Sequence, residues 1–471
     1  MHLQLWSVVA LQVWLASAVT LVARNNGSTG FVSVKNGRFN LDGSLYRFYG
    51  TNAYWVHMTT DYDLELTFHD IAAAGFNVVR TWAHNDVSSK PASGPYFQIL
   101  SDGKGAINEG EDGLKRLDKV VATAQKYGIK LLLTLTNNWN PARPIPKVAW
   151  NRRANTEELP RGFLSNDYGG IDAYVRAFNP DGAHDLFYTD RAIIDAFKNY
   201  VSHVVKRYAK SPAVLGWELG NDLRCSSTVP SSPNCNTATI TNWAAEISSY
   251  IKTLDTNHLI TPGDGGFYCL NCPKKFAKEF TKPSPSLPGR SFDGSYGVDT
   301  EDLIAIPDID FGSFQLFPDQ TEYFPSVEDS FATKAIGDGG KWVAVHSNTA
   351  TLLGKPEALT AAAIIPKEHY SSFAPFNSTS KIPDGTPCGG VEPFQVDFAF
   401  TSWANIALHG NVSGVLEYQW QQSGLTSHGT IHENWEKRAL TESPQDGSAR
   451  YNGPANGQNA DQFAASLPPL D

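Results

Sequence analysis

What most constrains this chain is a repeated alternation: a short apolar stretch followed by a helical or looped segment, eight times over. Residues 48–52, 77–81, 129–135, 214–219, 259–261, 309–314, 358–365 and 415–420 have the length and apolar content of buried strands. Helical patterns run between them. Residues 64–74 are amphipathic, 114–127 place Leu114, Leu117, Val121 and Ala124 at three- and four-residue spacing, and 192–208 form a long helix. Strand-then-helix repetition calls for parallel strands joined by crossover helices. Eight such units close into one α/β domain, a (β/α)8 TIM barrel, with functional residues at the C-terminal ends of the strands. With long loops, one barrel accommodates most of the 471 residues, and no internal repeat argues for a division.

The ends read differently from the body. From Leu3 to Ala18 there is no charge, and Ala16-Ser17-Ala18 has the small-x-small form of a signal-peptidase site. A signal peptide is therefore predicted over 1–18, the barrel over 19–440, and a flexible, Gly/Pro-rich polar tail over 441–471. Sequons at Asn26, Asn377 and Asn411 agree with a secreted, extracellular eukaryotic glycoprotein. No segment approaches eighteen uninterrupted apolar residues, so no membrane anchor is expected. A formal net charge of −10 argues against nucleic acid as a partner, because phosphate binding needs a basic patch.

Of the five cysteines, Cys225 and Cys235 bracket a Ser/Pro/Asn-rich loop and are expected to pair as a disulfide. Cys269 and Cys272 form a CxxC, open to a zinc, a redox or a disulfide reading. Zinc would need a second ligand pair, and none has suitable spacing, so no metal and no cofactor is expected. Cys388 leaves the count odd.

The strand ends carry specific text. Trp217-Glu218-Leu219-Gly220-Asn221-Asp222-Leu223-Arg224-Cys225 resembles the WELANEPRC segment of fungal endo-β-1,4-mannanases in glycoside hydrolase family 5. In the same order, GFNVVRTW (75–82) resembles the family's second-strand segment with its active-site arginine, here Arg80. LLLTLTNNW (131–139), HLITPGDGGFY (258–268) and GSFQLFPD (312–319) resemble its third, fifth and sixth. The resemblance spans roughly residues 30–440 and implies a β-mannan-degrading barrel.

That chemistry takes two carboxyl groups. In a retaining glycosidase one protonates the leaving oxygen, and the other attacks the anomeric carbon from about 5–5.5 Å away. The resemblance places the acid/base after the fourth strand, where this chain has Asp222, shorter than glutamate by one methylene or roughly 1–1.5 Å. Misplacement of about that size can cost around 100-fold. It places the nucleophile at the end of the seventh strand, where the glutamate pair falls on Thr360 and Ala361, and Ala361 takes the nucleophile slot. A methyl group cannot form a glycosyl ester. The sixth-strand His-Leu-Tyr-Pro reads Gln315-Leu316-Phe317-Pro318, and Tyr418 stands where a platform tryptophan is expected.

Arg80, Asn138, Trp139 and Asn221 match positions that hold sugar in the relatives, joined by Gln315 and Phe317. Trp55, Trp82, Trp139, Tyr268, Tyr418 and Trp420 are candidates for stacking on pyranose rings. Glu218 is expected in the barrel interior against Arg80, Glu357 at the far end of the seventh strand, and Asp264 in a turn. Glu368 could fold back over the cleft and replace the missing nucleophile; Glu417, beside Tyr418, must face opposite to it. His258 is read as a scaffold residue.

Three functions follow as expectations. One is a catalytically inactive or impaired, monomeric barrel that binds β-mannan or another neutral polysaccharide. A second is a working hydrolase using Asp222 and an unrecognised carboxylate. The third is a wall or signalling scaffold with a protein partner.

Overall fold

The computed structural model describes residues 30–141, 161–162, 164–280, 289–325, 330–367, 390–426 and 451–452. The expected signal peptide, the sequons at Asn26 and Asn377, Cys388 and Glu368 lie outside the described residues.

All eight apolar stretches form strands, and all eight share one sheet. They are β1 (Phe48–Asn52), β2 (Val78–Trp82), β3 (Lys130–Thr134), β4 (Val214–Glu218), β5 (Leu259–Thr261), β6 (Gly312–Leu316), β7 (Glu357–Ala362) and β8 (Val412–Glu417). The sheet order is 5-4-3-2-1-8-7-6 with every neighbour parallel. Between β5 and β6 the circle meets without a ladder. There the Asp310 amide donates to Ile260 O at 2.9 Å and the Gln315 amide to Gly265 O at 3.3 Å. The result is the expected (β/α)8 TIM barrel.

Three strands begin or end elsewhere than periodicity suggests, β7 stopping at Ala362 rather than at 365. Ile309 and Phe311 are fully buried but precede β6, packing under the barrel in the turn that enters it. β8 starts at Val412, and Trp420–Gln421 form a separate two-residue strand that pairs with Tyr451–Asn452. Those last two residues belong to the predicted tail, so part of it is tied to the body. An apolar run reports burial but not which backbone ladder a residue joins.

The crossover helices are α1 (Asp61–Ala73), α2 (Leu114–Lys126), α3 (Arg191–Tyr208), α4 (Thr237–Leu254), α5 (Thr300–Ile304), α6 (Phe331–Leu353) and α7 (Pro393–His409). Their starts follow from capping chemistry. Asp190 accepts from the amides of Ala192 and Ile193, and Asn236 with Thr239 forms a capping box on α4. α6 stops at Gly354, whose φ of 65° suits a residue without a Cβ.

The barrel interior is layered. At the bottom, Phe48, Val78, Leu132, Leu215, Leu259, Ala358 and Leu416 form an apolar plate. The hairpin Val32–Lys35/Arg38–Leu41 closes it from below, with Phe39 packing on Phe48 at 5.3 Å and edge-on to Phe311 at 5.2 Å. Above this plate lies a polar layer. Arg80 donates from Nε to Glu218 Oε2 at 2.8 Å and from Nη1 to Asn52 Oδ1 at 2.9 Å, while Thr134 Oγ1 donates to Glu218 at 2.5 Å. Both charges are buried, so the pair holds only because its hydrogen bonds replace lost water. Glu357, at the far end of β7, meets His346 at 2.7 Å; burial pushes its carboxyl well up and pulls the His346 imidazole down to about 3.

Candidate active site

The upper ends of β2, β3, β4, β6, β7 and β8 open into one cleft. Its walls include Arg80, Trp82, Trp139, Asn221, Asp222, Gln315, Phe317, Ala361 and Tyr418, nine residues singled out from the sequence.

The β3–β4 pairing runs past the strands and sets the first wall. Asn137 and Asn221 bridge in parallel, with the Asn221 amide donating to Thr136 O at 2.9 Å. Asn221 Oδ1 then accepts from Arg80 Nη2 at 2.7 Å and from Gln315 Nε2 at 2.9 Å, and its Nδ2 donates to Asn137 Oδ1 at 2.8 Å. The Trp82 ring lies 5.0 Å from the Arg80 guanidinium and stacks with the His84 ring at 5.4 Å. Burial pulls His84 down to about 4.

Asp222 adopts φ +55°, in the left-handed region, and its amide donates to Gly263 O at 2.7 Å. Both carboxylate oxygens are engaged. Oδ2 accepts from Trp139 Nε1 at 2.7 Å, and Oδ1 accepts from Arg224 Nε at 3.0 Å in an ion pair. Arg224 in turn sits over Tyr296 at 4.6 Å, Phe267 at 4.9 Å and Trp139 at 5.4 Å. The Cys225–Cys235 disulfide, as expected, holds this corner, with the Cys225 amide donating to Tyr296 O at 3.1 Å. A Cβ on Gly297 would lie 2.2 Å from Cys225 Sγ, so only glycine lets the two segments close. Cys269 and Cys272 are also disulfide-bonded, the disulfide reading of the CxxC.

The opposite wall mixes the apolar groups of Phe317 and Ala361 with Gln315, Gln320, Thr321, Tyr323 and Tyr418. Gln315 and Ala361 are register partners across β6 and β7. Tyr323 Oη accepts from the Phe317 amide at 2.8 Å and donates to Gln315 O at 3.3 Å, fixing the turn after β6. The Tyr418 amide donates to Ala362 O at 2.9 Å, and the Phe317 and Tyr418 rings meet edge-on at 5.4 Å. Among the described residues lining the cleft, Asp222 is the single carboxylate. Glu218 is held behind the wall by Arg80, and buried Glu417 and Asp264 do not line it. Asp264 accepts from the Gly266 amide at 3.0 Å, the turn role expected of it, and burial pushes it up to about 8.

Four residues expected at the cleft stand elsewhere. Asn138 is buried, bonded to His184 at 2.9 Å and accepting the Arg224 amide at 3.2 Å, so it organises loops. Tyr268 packs in the core against Trp342, its hydroxyl 3.0 Å from Thr349 Oγ1; its neighbour Phe267 takes the cleft side instead. Trp420 is buried beyond β8, donating from Nε1 to Gln422 Oε1 at 2.9 Å. Trp55 is likewise core, and His258 is a scaffold residue bonded to Asp255 at 2.5 Å. Conversely, Ser165, Arg224, Gly265, Gln320, Thr321 and Tyr323 line the cleft without having been singled out. Arg224 and Gly265 carried a signal, standing in the quoted segments 217–225 and 258–268.

Residues 29–284 match the family described as GH family 5 beta-mannosidase-like. Mannan endo-1,4-beta-mannosidase F of Aspergillus fumigatus is 37% identical over 70% of this chain, which covers 63% of that relative's length. Mannan endo-1,4-beta-mannosidase A of Aspergillus aculeatus is 33% identical over 82% of this chain and 87% of its own. Among solved structures, the endo-1,4-beta-mannanase from Rhizomucor miehei aligns with a TM-score of 0.66 at 26% identity, covering 93% of this chain and all of that one.

Proposed function

Because the chain belongs to the glycoside hydrolase family 5 β-mannosidase-like family, we propose that it is a secreted member that binds β-mannan or a related neutral β-1,4-glycan without cleaving it. The observation that carries this is the state of the carboxylates. Double displacement needs a nucleophile and an acid/base, whereas the described cleft presents one carboxylate, already ion-paired, and a methyl group at Ala361. What remains suits binding. The aromatic side chains of Trp82, Trp139, Phe267, Phe317 and Tyr418 line a groove whose two cations, Arg80 and Arg224, are neutralised by Glu218 and Asp222.

One observation favours hydrolysis: Asp222 does reach the cleft. An inverting route would still need a second carboxyl group about 6.5–9.5 Å away to activate water, and Glu368, the expected substitute, lies outside the described residues. The experiment compares the secreted protein with the double variant Asp222→Glu/Ala361→Glu on galactomannan and glucomannan. The parent is expected to give heat on titration with β-1,4-mannan oligosaccharides and no reducing ends; the variant is expected to release them. Cleavage by the parent that Asp222→Asn abolishes would establish the hydrolase instead. Absence of heat with every β-1,4-glycan, together with a culture-medium protein partner indifferent to sugar, would establish the scaffold.

A further inference from the structure

The loop that follows β5 is bonded to both walls of the cleft. Gly263 O accepts the Asp222 amide at 2.7 Å, and the Gly263 amide donates to Ser313 Oγ on β6 at 2.9 Å. Gly265 lines the cleft, and its carbonyl accepts the Gln315 amide at 3.3 Å. A Cβ on Gly265 would stand 3.0 Å from Asp222 Oδ1, so the loop passes close to that carboxylate. Gly263 and Gly266 take φ of +80° and +89°, where glycine is favoured. Between them, Asp264 closes the turn by accepting the Gly266 amide on Oδ2 at 3.0 Å.

Asp264 is fully buried, and groups from every neighbouring element bear on its charge. On β4, Glu218 is held by Arg80, and Asp222 beyond the strand is held by Arg224. On β6, Ser313 is neutral. At α5, Thr300 is neutral, while Asp299 and Glu301 share Lys274. Glu357 on β7 and His346 on α6 meet at 2.7 Å, and burial keeps the Tyr268 phenol neutral. The cations of this shell, Arg80, Arg224 and Lys274, thus already answer to other carboxylates. Burial, with Glu357 adding to it, pushes the Asp264 carboxyl up to about 8. Ionised, it would be a buried charge without a cation of its own, and the turn must open to water to accommodate it. We infer that the Asp264 turn is a proton-operated device, holding both walls of the cleft in place while the carboxyl keeps its proton and releasing them in alkaline solution. Its effect on ligand rests on the glycan-binding reading above; the opening of the turn does not.

Hydrogen–deuterium exchange of the peptide spanning residues 259–268, without ligand and corrected for the intrinsic rate at each pH, reads the turn directly. Between pH 7 and pH 9 the protonated fraction of one such group falls about tenfold, and protection of this peptide in the parent is expected to fall with it. Asp264→Asn keeps an acceptor for the Gly266 amide and cannot ionise, so its protection is expected to hold. Over the same interval, calorimetry with β-1,4-mannan oligosaccharides is expected to show the dissociation constant rising about tenfold in the parent and less than about twofold in the variant. Constant protection in the parent overturns the device without recourse to any variant, and so does an equal loss in both proteins. Protection lost along the whole chain, with the far-UV circular dichroism, is global unfolding and overturns it too. An opened turn with an unchanged dissociation constant overturns its control of the cleft. An opened turn with no heat at any pH supports the device and overturns glycan binding instead.

Discussion

At Asp222 the chain takes a left-handed backbone conformation that aspartate and asparagine adopt several-fold more readily than other side chains. Its short carboxylate is met by Trp139 and Arg224, so the residue acts as the keystone of one corner. Titration matters more at Asp264, which burial and the nearby Glu357 push up to about 8. Such a group binds its proton in the folded chain and loses it in the unfolded one. Its contribution is therefore intact below about pH 4 and is lost progressively as pH rises to about 8. Asp264→Asn is expected to flatten the fall in melting temperature between pH 5 and pH 8. Identical slopes for parent and variant would assign the pH response to other groups. The resemblance to family 5 mannanases pointed to Arg80, Asn221, Asp222 and Ala361, because each stands in a strand-end segment that the resemblance covers. Asn138, Tyr268 and Trp420 were illegible for a local reason: past a strand the period of two ends, and neighbours such as Phe267 and Tyr268 divide between cleft and core in a way no spacing encodes.

Among the elements, the helical spacings read at 64–74, 114–127 and 192–208 form α1, α2 and α3, whereas α6 (Phe331–Leu353), with its stop at Gly354, was not read from the sequence. The hairpin under the barrel was not singled out, although Asn36-Gly37 between the alternating apolar residues Val32, Val34, Phe39 and Leu41 signals one. Phe39 is fully buried against Phe48 and Phe311. Phe39→Ala should cost about 3–5 kcal/mol in urea unfolding, with glycan affinity retained, since the site lies at the other end of the strands. Loss of affinity in a folded variant would show that the two ends are coupled.

For the molecule as a whole, a net charge of −10 coexists with a cleft whose cations are internally paired. Binding of a neutral glycan should accordingly be indifferent to ionic strength. Raising sodium chloride from 50 to 500 mM is expected to change the dissociation constant less than about twofold, and a strong weakening would point to an anionic ligand. The sheet order has a separate consequence, for the time course of folding. The chain enters the sheet in the middle, at β1, and walks outward through β2 to β5; it then resumes at the opposite edge with β6 and returns to β1 from the other side. Thr51 thus waits for Glu417, 366 residues later, before its second neighbour arrives. Joining ends so far apart is the slow event in such a topology. Until it happens, a sheet of β1 to β5 would be an open half-barrel with two unsatisfied edges, at β1 and β5, the state in which this protein is most exposed to mispairing and most dependent on being left undisturbed.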